Sequence, residues 1–334
     1  MPCYFPQDCW YSNEINPDTG KRKITFNRAN ARYVYSDEYN CMVPDALSVG
    51  CGKCIGCLME RSRSWALRCF LESELHDENC FITLTLNNDN IPPKNRDCVR
   101  CELNAIREAS YDKRECTWKQ CKEGSLCKRD FQLFIKKLRK KYPEKNIRYY
   151  MCGEYGGENH RPHYHAILFG FNFPDREFWS YDRGVILDRS EILEDLWPLG
   201  FSTVGDMSQE SAGYVARYVL KKLLKEDDEE EGFLPEYNLL SRRPAIGAEW
   251  FEKYSTDAYP HDYIVDANGA KHKPPRYFDQ KYELTNPSEY VIIKKNREKY
   301  AKENPHNSPE RRLECWDLQN KRGNMLKRSL EDGL

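Results

Sequence analysis

The spacing of hydrophobic residues along the middle of the chain changes between the period of a strand and that of a helix. Four stretches predict strands, because they alternate or form short apolar runs bounded by turn residues: 81–86, 147–152, 163–170 and 201–204. Four others predict amphipathic helices, because apolar residues recur three and four positions apart: 62–76, 130–141, 190–197 and 209–225. Ser190 is the predicted N-cap of the third helix.

From residue 81 onward these elements follow the order β-α-β-β-α-β. That order is the ferredoxin-like arrangement, in which an antiparallel sheet carries helices on one face. The sequence therefore predicts an α+β fold of this type with flanking helices. A Gly-rich turn is predicted to join the strands at 147–152 and 163–170 as a hairpin.

Changes of composition divide the chain into regions. The predicted regions are an irregular, Cys-rich N-terminal segment at 1–60, a core at 61–225 with a Cys-containing insertion at 87–127, an acidic linker at 226–231, and a basic and aromatic C-terminal region at 232–334. Within the last region, the Asn268-Gly269 pair predicts the turn of a hairpin at about 262–277.

Composition narrows the class of protein. The 334 residues, 40% hydrophobic and 31% charged, suffice for one large domain or two smaller ones. The net charge is −1, so any contact with nucleic acid must come from local basic patches. The first residues lack the pattern of a signal peptide, and no apolar run reaches membrane-spanning length, so we expect no membrane partner. Fifteen Cys without an export signal predict reduced thiols and metal ligands rather than disulfides.

The strongest candidate chemistry lies at His163 and His165. Residues two apart on a strand point to the same face, so the two imidazoles would project side by side and could hold one divalent ion. The hairpin would bring Glu154 beside them as a third ligand, with Glu158 and His160 on the turn as rivals. The alternative interpretation is that the two histidines are ordinary polar surface.

Cysteines form a second candidate site near the N-terminus. Cys51, Cys54 and Cys57 follow one another at Cys-x-x-Cys spacing with intervening glycines, which is typical of the turn that gives thiolates to a tetrahedral zinc ion. We place Cys41 in this set as the fourth ligand, with Cys3 and Cys9 as alternatives. The competing interpretation is a set of free buried thiols.

The predicted insertion holds a second group of cysteines with looser spacing. A possible second zinc site there comprises Cys98, Cys101, Cys116 and Cys121, since one Cys-x-x-Cys pair is followed by two later Cys.

The last predicted helix of the core carries tyrosines and lysines together. Tyr214, Tyr218 and Lys222 are four residues apart and share a face, and Lys221 reaches the same side. Tyr on a helix more often packs in a core than reacts, but stacked tyrosines beside lysines are less common.

Several stretches of this chain, spread over about residues 41 to 280, resemble one family. They are Pro44, Cys51-Gly-Lys-Cys54, Gly153-Glu-Tyr-Gly156, Arg161-Pro-His-Tyr-His-Ala-Ile-Leu-Phe-Gly170, Tyr214-Val-Ala-Arg-Tyr218-Val-Leu-Lys221-Lys222 and Ser241-Arg-Arg-Pro244. Together they resemble the His-hydrophobic-His endonucleases that start rolling-circle replication. Within that class the chain is similar to the replication initiators of small single-stranded-DNA phages, the gokushovirus branch of the microviruses.

The resemblance implies a reaction and its residues. A tyrosine attacks a phosphodiester of single-stranded origin DNA, remains joined to the 5′ phosphate and leaves a 3′ hydroxyl that primes synthesis. It implies Tyr218 as the first nucleophile, Tyr214 as the second, and Lys221 and Lys222 as groups that favour the phenolate. Mg²⁺ or Mn²⁺ on the histidines would polarise the phosphate.

The resemblance also implies where the protein works and with what. We expect DNA contacts at five residues: Thr83, Thr85, Arg161, Arg242 and Arg243. The chain has no Walker A loop, so unwinding would come from a host helicase, acting with a host polymerase and single-strand-binding protein in the bacterial cytoplasm. The alternative functions are a non-catalytic zinc protein that binds nucleic acid, and a related relaxase or transposase.

Overall fold

The computed structural model describes most of the chain, in two compact units. The described residues are 3–17, 20–91, 124–156, 160–182, 185–209, 211–216, 236–259, 261–266, 268–304 and 308–331, with side chains as far as 322. The first unit comprises Met1–Glu60 and Tyr300–Met325, and the second comprises Arg61–Lys299 and Leu326–Leu334. The acidic linker at 226–231 and most of the insertion at 87–127 lie outside the described residues.

The first unit is built on short strands. Their bounds are Gln7–Ile15 (β1), Arg22–Thr25 (β2), Tyr33–Ser36 (β3), Cys41–Pro44 (β4) and Ala46–Val49 (β5). Strands β2, β1 and β5 form an antiparallel sheet, and β3 pairs with β4 as a hairpin. The prediction of an irregular segment at 1–60 is therefore wrong. Apolar residues such as Tyr35 and Met42 remain exposed on these strands, so no alternation marks a buried face.

The second unit is organised around one antiparallel sheet of seven strands. Their bounds are Asn79–Leu86 (β6), Arg148–Tyr155 (β7), Pro162–Phe169 (β8), Glu177–Asp182 (β9), Val185–Arg189 (β10), Gly200–Asp206 (β11) and Tyr237–Leu240 (β12). The order across the sheet is β12-β7-β8-β6-β11-β10-β9. The predicted strands are therefore β6, β7, β8 and β11 at its centre, and three strands that the sequence did not predict extend both edges.

Helices complete the chain. Their bounds are Ile55–Ser73 (α1), Lys128–Lys141 (α2), Glu191–Leu196 (α3), 211–216 (α4), Ala248–Ala258 (α5), Arg276–Thr285 (α6), Pro287–Glu303 (α7) and Pro309–Glu331 (α8), with short 3-10 turns at Arg28–Asn30 and Asn88–Asn90. Ser190 caps α3 as predicted, since its hydroxyl accepts a hydrogen bond from the Leu193 amide at 3.1 Å. None of the described helices is long and apolar enough to cross a bilayer.

Both faces of the large sheet are covered, which corrects the expectation of helices on one face. On one face α2 and α3 pack against alternate residues of the central strands, with Phe134, Leu193 and Leu168 fully buried among them. On the other face α1 and α4 bury Cys69 and Val215 against the opposite set of side chains. Strand β8 is apolar on both sides except at its histidines, because both of its faces are covered.

A third cluster lies beside the sheet and explains part of the C-terminal region. Helix α1 packs Leu67 and Leu71 against aromatic residues of α5, α6 and α7, including Phe278. Strands Ile264–Val265 (β13) and Lys271–His272 (β14) form the small hairpin, shorter than the predicted 262–277 because α6 begins at Arg276. The C-terminal region as far as Lys299 is therefore part of the second unit.

Candidate functional site

The register of three neighbouring strands brings the predicted site residues into one row. In the β7–β8 hairpin Glu154 lies opposite His163, and Cys152 lies opposite His165. On the other side of β8, Thr85 of β6 lies opposite His163 and Thr83 lies opposite His165. Directly opposed residues share a face of the sheet, so the carboxylate, the imidazoles and the hydroxyls all project to the same side.

The contacts within this row are short. Oε1 of Glu154 lies 2.7 Å from Nε2 of His165, and both side chains are nearly buried, with 3% and 9% of their surfaces exposed. The rings of His163 and His165 stand 6.3 Å apart and are tilted by only 24°. The prediction that the hairpin would place Glu154 beside the histidines is thus confirmed as geometry.

Helix α4 places Tyr214 against the same row. The Tyr214 ring meets the His165 ring edge-on, with centroids 5.2 Å apart. Phe81, which precedes Thr83 on the same face of β6, stacks on His165 at 5.8 Å and contacts Tyr214 edge-on at 6.0 Å. The sequence did not single out Phe81, although the alternation that pairs it with Thr83 and Thr85 was visible. Tyr218, Lys221 and Lys222 lie outside the described residues.

The turn at Gly156 fits closely around His163. The Gly156 amide donates to the Arg161 carbonyl at 2.9 Å and closes the turn. A Cβ atom on Gly156 would lie only 2.8 Å from Nε2 of His163, so the close approach requires glycine there. Of the rival ligands, His160 adopts a left-handed backbone with φ of 47° on this turn, and Glu158 lies outside the described residues.

Glu154 and His165 meet part of what a divalent ion such as Mg²⁺ or Mn²⁺ requires of its ligands. Two ligands of an octahedral ion with bonds near 2.1 Å stand about 3 Å apart, close to the separation of the facing Glu154 and His165 atoms. Imidazole and carboxylate are also ligand types that such ions accept. The His163 ring lies beside that of His165 at 6.3 Å between centroids, but the ligand atoms of Glu154, His163 and His165 do not converge to within 4.8 Å of one another.

The cysteine site of the first unit is more complete. The sulfur atoms of Cys3, Cys51, Cys54 and Cys57 all lie within 4.8 Å of one another, and theirs is the one group of three or more such ligands that the described part of the chain brings together. Cys3 and Cys54 are 3.9 Å apart, and a tetrahedral zinc with bonds of about 2.3 Å would hold its sulfurs about 3.8 Å apart. The donor set therefore fits zinc.

The fourth ligand differs from the predicted one. Cys3 completes the group, whereas Cys41 lies exposed at the start of β4 and Cys9 is buried on β1 with its thiol donating to the Leu47 carbonyl at 3.5 Å. The Cys41 assignment is thus corrected, because pairing of β4 with β3 holds Cys41 in another hairpin. The second predicted group lies outside the described residues: Cys98, Cys101, Cys116 and Cys121.

Backbone amides donate to sulfur atoms of the cysteine site, and at Cys54 they favour the thiolate. The Cys51 amide donates to the sulfur of Cys3 at 3.2 Å, and the Cys54 amide donates to that of Cys51 at 3.3 Å. Burial by itself disfavours the Cys54 thiolate, but amide donors from Cys57 and Tyr4 outweigh it and lower the pKa of Cys54 to about 7. A thiolate at this position is the form that binds metal.

Comparison with known proteins gives the family. A family profile described as replication-associated protein ORF2/G2P matches residues 79–223, which include the whole histidine row. The replication-associated protein VP4 of Bdellovibrio phage phiMH2K is 31% identical over 80% of this chain and 78% of its own length. The chain belongs to this family of replication-associated proteins.

Two other relatives extend the comparison. The replication-associated protein ORF2 of Spiroplasma virus 4 is 30% identical over 81% of this chain and 78% of its own length. The replication-associated protein ORF4 of Chlamydia phage 1 is 28% identical over 72% of this chain and 55% of its own. The resemblance to the microvirus group is thereby confirmed. No solved structure matches the chain.

The arginines expected to contact DNA occupy different environments in this family member. Arg161 donates to the Leu86 carbonyl at 2.9 Å and to Oδ1 of Asn88 at 2.7 Å, so it ties the end of β6 to the start of β8. Arg242 and Arg243 are exposed on the turn after β12. The turn is held by Arg148 of β7, whose guanidinium donates to the Pro244 carbonyl at 2.9 Å.

Proposed function

We propose that this chain is a replication initiator that cuts single-stranded phage origin DNA by tyrosine attack. The observation that carries the proposal is the row of Glu154, His165 and His163, with Tyr214 in ring contact with His165 at 5.2 Å. A candidate nucleophile thus lies beside the candidate metal ligands, within the stretch that matches the replication-associated family.

The order of the strands supports this assignment. Within the element order β6, α2, β7, β8, α3, β11, the sheet runs β11-β6-β8-β7, so the first strand lies between the third and the fourth. This strand order supports the ferredoxin-like, His-hydrophobic-His interpretation of the core. The histidines lie on one of the two central strands of that core, where both neighbours contribute side chains to the site.

The chemistry would proceed by transesterification. The phenolate oxygen of Tyr218 attacks phosphorus, the bond from phosphorus to the 3′ oxygen breaks, and that oxygen takes a proton to become the primer hydroxyl. A free phenol has a pKa of about 10, so a neighbouring ammonium such as Lys221 or Lys222 is needed to favour the anion. His163, His165 and Glu154 would hold Mg²⁺ or Mn²⁺, which when bound neutralises charge on the phosphate.

Two tyrosines would allow the two cuts of one replication cycle, the first at the origin and the second at the regenerated origin. Tyr214 and Tyr218 lie four residues apart, so on a continued helix they would share the face that Tyr214 presents to His165. Tyr218 would hold the 5′ phosphate while Tyr214 cuts the regenerated origin, and the released 3′ hydroxyl then closes the displaced strand. Host helicase, polymerase and single-strand-binding protein would supply the remaining steps in the bacterial cytoplasm.

A covalent adduct tests the proposal directly. Tiled single-stranded oligonucleotides covering the phage genome are incubated with the protein and Mn²⁺, and tyrosine peptides are analysed by mass. We expect an adduct on Tyr218 that the Tyr218→Phe variant loses, while Tyr214→Phe forms it but fails to release circles from an origin plasmid. The matched control is Tyr181→Phe, because that tyrosine is 70% exposed on β9.

The outcome also separates the proposal from the second candidate function. A non-catalytic zinc protein that binds nucleic acid is favoured by the four-cysteine group alone. It would bind the oligonucleotides without forming any adduct. Wild-type adduct in a variant with both tyrosines replaced by Phe would remove the nucleophile assignment.

A further inference from the structure

Each histidine of the row has its own threonine partner on the neighbouring strand. Oγ1 of Thr85 lies 2.8 Å from Nδ1 of His163, and Oγ1 of Thr83 lies 3.0 Å from Nδ1 of His165. The two contacts repeat the same geometry two residues apart, because residues 83 and 85 lie opposite 165 and 163 in the register of β6 and β8. Both rings are thus held by Nδ1.

A hydroxyl can hydrogen-bond to an imidazole nitrogen whether or not that nitrogen carries the proton, because it can both donate and accept. Nε2 of His165 lies 2.7 Å from Oε1 of Glu154, so Nδ1 is the nitrogen that Thr83 contacts. A threonine hydroxyl can either donate to that nitrogen or accept from it. If Nε2 of such a ring held a metal ion, Nδ1 would carry the ring proton and would donate to the threonine hydroxyl.

We propose that Thr83 and Thr85 are positioning residues that hold His165 and His163 by Nδ1, and that their hydroxyls accept a hydrogen bond from Nδ1–H when Nε2 holds a metal ion. The inference rests on the proposed function and gives these threonines a role other than direct contact with DNA. An outer partner of this kind fixes the tautomer and ring orientation of a ligating histidine.

Strand β6, which carries both threonines, is fixed by contacts with neighbouring elements. The Thr85 carbonyl accepts from the Trp197 indole at 3.2 Å, and a Cβ atom on Gly200 would lie 2.1 Å from that same oxygen. Between the threonines, Leu84 is fully buried on the opposite face of the sheet. The backbone at residues 83–85 is therefore held in place, and each hydroxyl contacts its ring from a fixed position, in addition to the ring contacts of Phe81 and Tyr214 with His165.

The test replaces each hydroxyl with a methyl group. Val has nearly the shape of Thr and is favoured in strands, so Thr83→Val and Thr85→Val should fold. Mn²⁺ affinity, measured by titration with electron paramagnetic resonance, should fall by about 10-fold to 100-fold in either variant. Thr83→Ser and Thr85→Ser keep the hydroxyl and should restore most of the affinity.

A second readout follows the tautomer itself. Long-range nitrogen–proton correlations on ¹⁵N-histidine protein should show His165 moving from Nε2–H to Nδ1–H on addition of Mg²⁺, and this change should be lost in Thr83→Val. The matched control is Thr203→Val, since Thr203 lies opposite Thr83 on β11 and faces the same side. It should behave as wild type in both measurements.

Unchanged Mn²⁺ affinity and tautomers in the Val variants would overturn the inference. So would a loss of oligonucleotide affinity in EDTA with normal Mn²⁺ binding, which would make the threonines direct DNA contacts. These outcomes are separate from the proposed function. A wild-type protein that forms no adduct, yet binds Mn²⁺ in a threonine-dependent way, would refute the cutting reaction and leave the inference standing.

Discussion

The two candidate metal sites of this chain differ in how each is built. The cysteine site of the first unit takes three ligands from one short stretch, and its four sulfurs already stand at spacings that suit zinc. The histidine row of the second unit takes its residues from three strands: His165 contacts Glu154 and Thr83, and His163 contacts Thr85. The cysteine site is thus built mainly from one short stretch, whereas the histidine row is assembled from strands that are distant in sequence.

That difference indicates different uses. A four-thiolate site leaves no position for substrate, which is typical of structural zinc, whereas catalytic sites keep positions open. The cysteine site also packs against Tyr4 and Ile55 and beside Trp316, so the first unit has a small apolar core around it. The second unit has a large apolar core of its own on each face of its sheet.

The largest expected effect is on the fold of the first unit. Cys54→Ser removes one thiolate, and since structural zinc provides about 10–16 kcal/mol in small zinc domains, the first unit should lose both its zinc and its cooperative unfolding transition. Metal analysis and thermal melting check this. Cys41→Ser is the matched control, because Cys41 is exposed and outside the group. A folded wild-type protein that contains no zinc would show that the sulfurs are free thiols.

The next largest effect is expected from breaking a buried ion pair in the second unit. Glu72 of α1 pairs with Nε of Arg148 at 2.6 Å and accepts from the Gly247 amide at 2.6 Å, with its side chain 1% exposed. Glu72→Gln leaves Arg148 buried without its main partner and should cost about 3–5 kcal/mol of unfolding free energy. Chelators should leave this unit folded, and urea melts with and without EDTA measure both effects.

The same carboxylate predicts an acid limit for the second unit. Burial alone would raise the pKa of Glu72, but hydrogen bonds from His76 and Gly247 and the charge of Arg148 outweigh it, so the pKa is lowered. A lowered folded pKa means that this stability is present above the unfolded value of about 4.3 and is lost as the pH falls through the folded pKa. Stability measured from pH 7 to pH 3 should fall at the acid end, and Glu72→Gln should flatten that fall. Equal acid slopes in both proteins would contradict the assignment.

A smaller effect in free energy, but decisive for function, is expected at the histidines. His163→Ala and His165→Ala should each lower nicking about 10²-fold to 10³-fold, as removal of one charge-stabilising group does in other enzymes, with single-stranded DNA binding retained. Gel assays of cutting and filter binding measure the two separately. His261→Ala is the control, since His261 is exposed near the β13–β14 hairpin. Full cutting by either histidine variant would make the row a packing feature.

The sequence revealed the parts of each site that depend on short spacing. Cys51, Cys54 and Cys57 are local, whereas Cys3 reaches them only because the chain folds back over 48 residues, and no spacing rule separates it from Cys41. Glu154 was predictable because a hairpin fixes it relative to His163. The threonine partners were not, because pairing of β6 with β8 joins residues about 80 positions apart.

Contacts between residues distant in sequence also explain why parts of the fold were predicted wrongly. Strands β9 and β10 were not predicted because exposed aromatics such as Trp179 interrupt any alternation. Helices on both faces were not foreseen because a fully buried strand such as β8 shows an apolar run that does not reveal what covers it. Contacts between distant segments decided both features.

The smallest expected effect is also the finest test of the histidine row. A Cβ atom on Gly156 would lie 2.8 Å from Nε2 of His163, closer than real Cβ contacts, while the backbone φ of Gly156 is not in the left-handed region. Gly156→Ala should therefore fold normally but push the ring by a few tenths of an ångström. Since small misplacements cost rate steeply, we expect nicking and Mn²⁺ affinity to fall about 10-fold. Gly205→Ala on β11 is the matched control, because its nearest neighbour would stand at an ordinary 3.6 Å. Equal losses in both variants would mean that the sheet, rather than the position of His163, is sensitive to an added methyl group. Wild-type behaviour in Gly156→Ala would mean that Nε2 of His163 tolerates displacement, which a metal ligand in a fixed row does not.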